Sequence, residues 1–171
     1  MKRNIPYYID ASFLANSENL QIFYTSIKKF EKYNIYFISN ANKPFCKIYL
    51  KTMKELMNIP EIGKHALKGF SWTLYSNPIQ VFFLYENWIK IPIHMGSQYT
   101  NLHEYRIALV NHELAHVLGF GHVECPRPGL PCDVRQQPSR NLGGCLPTTE
   151  VYIYPYANKL DDSDSDDSVD L

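Results

Sequence analysis

Several absences narrow the class of this chain before any motif is read. No stretch of about eighteen uncharged apolar residues occurs in its 171 residues, so the sequence predicts no membrane-spanning helix. Lysine and arginine never cluster densely, which argues against a nucleic-acid partner. Lys2 and Arg3 resemble the charged start of a secretory signal, but Pro6, Asp10 and the polar run 16–19 break the apolar core such a signal needs. There is no Asn-x-Ser/Thr acceptor with a permitted middle residue. These readings predict a protein made in the cytosol, remaining there or packaged in a particle. The four cysteines form no paired C-x-x-C pattern, which excludes a second metal site of that kind. No Ser/His/Asp arrangement, phosphate-binding glycine loop or EF-hand pattern is present. Methionine is scarce, with four residues and none beyond Met95.

What is present suits a globular domain: 45% hydrophobic and 14% aromatic residues. The formal net charge of zero hides an asymmetry. Six of the 17 acidic residues lie between Asp161 and Leu171, so 11 remain against 17 basic ones and the rest of the chain is mildly basic. That last segment reads as a solvated acidic tail. Upstream, Ile5 to Ile9 reads as a strand. Leu20, Phe23, Tyr24, Ile27 and Phe30 recur at helical spacing between Ser17 and Lys32. Asn34 to Ser39 and Cys46 to Thr52 read as strands, Met53 to Met57 as a continuation or a helical turn, and Pro60 to Gly69 as a connection. Phe70 to Tyr75 and Ile79 to Tyr85 are two more strands, split by the turn signal Ser76-Asn77-Pro78. A helix is predicted over Asn101 to Leu118, with Asn101 and Glu104 able to form a capping box. Six prolines between Pro126 and Pro155 leave little room for helix beyond it.

The run HELAHVLGFGH, from His112 to His122, carries the chemistry. On a helix His112 and His116 stand one turn apart on one face, so both imidazoles can reach one metal ion. Glu113 is placed to meet a water on that metal rather than the metal itself. Gly119 can adopt a left-handed conformation without a Cβ penalty, ending the helix and turning His122 in as third ligand. Three nitrogen donors and an open position describe a catalytic zinc site, one Zn²⁺ per chain. The plainer alternative is an amphipathic helix with incidental surface histidines, which leaves the Gly119 and His122 spacing unexplained. His65, His94 and His103 read as ordinary surface or helix-start residues.

HExxHxxGxxH is the zinc signature of the metzincin metallopeptidases, and His112, Glu113, His116, Gly119 and His122 fill each of its fixed positions. The segment from Trp88 through this motif, then Cys125-Pro126, Gln136-Gln137 and Leu142-Gly143-Gly144-Cys145, resembles an uncharacterised bacterial family of small metzincin-like proteins that look exported. The similarity covers about Val81 to Pro147. It implies an α+β fold: a small mixed twisted sheet with two main helices as N-terminal subdomain (1–121), and a short irregular C-terminal subdomain (122–160). An antiparallel edge strand above the cleft would be the place for a peptide to add as an extra strand.

The implied activity is that of a zinc metalloendopeptidase, a monomer acting on peptide or protein, with no nucleic-acid or membrane partner. Glu113 would be the general base. Tyr152 or Tyr154, beyond the motif, would be candidate partners for the oxyanion, as in some metzincins. A zinc amidase acting on a non-protein amide and a zinc-binding interaction module with little turnover are the competing readings. One departure weakens the resemblance: the family's methionine after the third histidine is missing, and Arg135 stands in its place. Leu142 or Leu146 could supply the missing apolar floor. Cys125 and Cys145 could bridge, closing a loop of about twenty residues and contributing roughly 3 kcal/mol, or stay thiols in a reducing compartment. A cysteine capping the zinc is a further alternative.

Overall fold

In a computed structural model of the protein, residues 2–67, 69, 71–93, 99, 101–121 and 135–136 are described. They form a mixed α+β structure around a five-stranded, mostly parallel sheet. Strand β1 (Arg3–Ile9) is followed by α1 (Ala11–Leu14), α2 (Ser17–Lys28) and a 3-10 turn at Glu31–Tyr33. Then come β2 (Ile35–Ser39), β3 (Cys46–Lys51), α3 (Met53–Met57), a 3-10 segment at Gly63–Leu67 and β4 (Ser71–Leu74). Strand β5 (Ile79–Leu84), α4 (Tyr85–Trp88), α5 (Leu102–Val117) and the two-residue strands β6 (Phe120–Gly121) and β7 (Arg135–Gln136) complete the order. The sheet order is β2-β1-β3-β5-β4, with every pairing parallel except β4 against β5. The antiparallel strand therefore lies at an edge. Among the described residues no helix is long and apolar enough to cross a membrane.

Side-chain alternation explains the layers. Ile5, Tyr7 and Ile9 of β1, Cys46, Ile48 and Leu50 of β3, and Ile79, Val81 and Phe83 of β5 point to one face. There they pack on Ile22 and Phe23 of α2 and on Leu109, Leu114 and Val117 of α5. Phe82 and Leu84 of β5 point the other way, into a smaller core with Leu56 of α3, Ala66 of the 3-10 segment and Ile62 from the turn between them. Covered on both sides, β5 reads as a nearly continuous apolar run. The expected connection at Pro60 to Gly69 is thus more than a connection, because it supplies the lid of this second core.

Local chemistry sets the boundaries. The helix expected from Ser17 to Lys32 ends as α-helix at Lys28, and Asn34 at φ 61 turns the chain into β2. Met53–Met57 is helical, capped reciprocally by Thr52 and Glu55, and Glu86 accepts from the Met53 N–H at 2.9 and 3.1 Å. Helices α1 and α4 have no counterpart among the expected elements, being single turns too short for a periodicity to show. Asp10 caps α1, its carboxylate accepting from the Ser12 amide at 3.0 Å and hydroxyl at 2.6 Å.

Candidate metal centre

Helix α5 starts where expected, with Asn101 Oδ1 accepting from the His103 and Glu104 N–H groups at 2.8 and 3.2 Å. Its position is then fixed by polar anchors in its first half. Tyr105 donates to the Asn87 carbonyl at 2.9 Å, and Arg106 Nε donates to the Trp88 carbonyl at 2.8 Å. The Arg106 guanidinium also lies 5.3 Å from the Trp88 ring centroid, and the indole N–H donates to Asn19 at 3.0 Å. Tyr105 and Arg106 precede His112 and Glu113 by seven residues, about two turns, so these anchors set the direction in which the site residues leave the helix.

From Tyr105 to Val117 each residue is buried. His112 and His116 keep 8% and 7% of their surface, which rules out the reading of incidental surface histidines. By contrast His103 is exposed, 4.0 Å from Glu18, and His65 is exposed in the 3-10 segment. The helix ends at Val117 with Leu118 as its cap, and Gly119 follows at φ 93, the left-handed geometry predicted for it.

The two buried imidazoles face each other, Nε2 to Nε2, at 3.1 Å. On the far side of His116, Nδ1 lies 2.6 Å from the Phe120 carbonyl oxygen. A carbonyl oxygen only accepts, so Nδ1 carries a proton, and in the neutral ring Nε2 then presents its lone pair. Two nitrogens this close need a proton or a cation between them. The ligand atoms of His112, Glu113 and His116 all lie within 4.8 Å of one another, a buried group that could hold a metal ion.

Glu113 is turned toward β4. Ser71 Oγ donates to its Oε1 at 2.7 Å and Thr73 Oγ1 donates to its Oε2. Ser71 and Thr73 share one face of the edge strand, while Trp72 and Leu74 turn to the smaller core. Beyond them, partial burial and then the charge of Glu113 push the Tyr75 phenol up to about 12. Sequence reasoning missed all three β4-side residues. The only available signal was the Ser-x-Thr-x-Tyr alternation in a strand preceding the motif. The Phe120 carbonyl, a backbone group, left no signal.

His112, Glu113 and His116 are thus brought together. His122, Cys125, Cys145, Tyr152 and Tyr154 lie outside the described residues, as do His94 and the acidic tail. The backbone of Arg135 pairs with Gly121, and that of Gln136 with Phe120, an extended bridge at the exit from the helix. Cys46, on β3 between β1 and β5, is a buried free thiol, and burial pushes it up to about 12. No protein-family model matches the chain, and no curated protein matches it.

Proposed function

We propose that this protein is a zinc-dependent, metzincin-like endopeptidase, with His112, His116 and His122 as ligands and Glu113 as general base. The observation that carries the reading is the 3.1 Å separation of the His112 and His116 Nε2 atoms, buried and oriented by the Phe120 carbonyl. Two imidazoles on one tetrahedral zinc, with bonds of about 2.0–2.1 Å, put their nitrogens about 3.3 Å apart. The donors therefore fit zinc with little adjustment. The antiparallel edge strand β4 beside the motif helix supports the same reading, since an extended peptide can add to a free strand edge.

Zinc, when bound, polarises the scissile carbonyl and makes a water more acidic. Glu113 accepts a proton from the attacking water as its oxygen bonds to the carbonyl carbon. The same carboxyl group then hands that proton to the amide nitrogen as the C–N bond breaks, leaving a carboxylic acid and an amine. Burial keeps bulk water from competing for Glu113.

Purified protein should carry about one zinc per chain by elemental analysis, and His116→Ala should lose it. Chelation should abolish peptide cleavage and added zinc restore it. Cleavage that survives complete zinc removal would refute the proposal.

A further inference from the structure

The clamp on Glu113 has a role within the proposed reaction, a role that rests on the zinc-peptidase reading. An ionised carboxylate offers about four lone-pair positions. The hydroxyls of Ser71 and Thr73 occupy one on each oxygen, leaving the others for a water proton. Glu113 itself keeps only 4% of its surface, so without these donors its charge would be buried beside a helix that cannot solvate it. Both donors come from β4, the strand at one edge of the sheet among the described residues. We infer that Ser71 and Thr73 are positioning residues: they fix the plane of the Glu113 carboxylate and tie the base to the strand on which substrate is laid.

Thr73→Val keeps the shape of the side chain and a strand-forming residue while removing the donor; Ser71→Ala removes the other. Thr73→Ser and Ser71→Thr retain both hydroxyls. With the zinc-loaded protein and a cleaved peptide, the Ser71→Ala/Thr73→Val double variant should lose at least tenfold in kcat with KM within threefold of the parent. The hydroxyl-retaining variants should stay within threefold in kcat, and zinc content should not change. A second readout needs no activity. In the metal-free full chain, a double-mutant cycle of Thr73→Val with Glu113→Gln, read by chemical denaturation, should give a non-additive change of at least threefold in the folding equilibrium constant. An active parent with an additive cycle, or a kcat loss that Thr73→Ser does not rescue, would overturn the inference alone. A zinc-loaded parent that cleaves nothing while the cycle remains non-additive would sink the peptidase reading, and the positioning role with it.

Discussion

Glu113 sits where a carboxylate is costly, buried on α5, and its two oxygens are met by two hydroxyls of a neighbouring strand. His116 is met in the same way, by a carbonyl one turn on. These contacts give the site residues definite orientations, which is what reaction at a fixed geometry requires. Asp10 shows a plainer use of the same chemistry. Burial alone would raise its carboxyl, but the Ser12 hydroxyl and amide and the Lys51 charge outweigh that and hold it below the usual carboxylate range. A group depressed in the folded state stabilises above its unfolded value and loses that contribution as the pH falls through the folded one. Asp10→Ala should therefore cost about 1 kcal/mol at pH 7. The difference from the parent should start to shrink below about pH 4. Urea titrations at several pH values check this, and a difference that grows on acidification would contradict it.

Among the elements, β4 and α5 define the site together. The helix was legible because its anchor residues are of unmistakable type: Asn101 to cap, Gly119 to stop, and three histidines between and beyond. The strands were legible from runs such as Ile79 to Leu84, though not their order, because pairing is decided by which helix covers which face. Single turns such as Ala11–Leu14 carry too few residues for a period to appear. The hydroxyl clamp was illegible for a different reason: Ser71 and Glu113 are 42 residues apart, and a serine in a strand has no sequence mark of its partner. If substrate lies along β4 as an added strand, its backbone amides bond to the strand edge. N-methylation of one such amide in a cleaved peptide should lower kcat/KM by about tenfold, roughly one hydrogen bond's worth. Methylation scanned along the peptide with no effect at any position would argue against edge-strand binding.

At the scale of the whole molecule, the sheet is a platform that presents one helix at its edge-strand end. The apolar faces of β1, β3 and β5 pack in one core with α5, and the last two turns of that helix hold the buried histidine pair. The mixed α+β class was legible from the order of the elements, while the mostly parallel pairing was not. The proposed function adds only His122 and a zinc ion to what the described residues already assemble. The most direct test is peptide-library cleavage read by mass spectrometry, comparing zinc-loaded parent with zinc-loaded Glu113→Gln, a variant that keeps the shape and loses the base. The parent should cleave at defined positions, and the variant should lose about 10²–10⁴-fold at unchanged zinc content. Equal cleavage by both proteins, or none by the zinc-loaded parent, would contradict it.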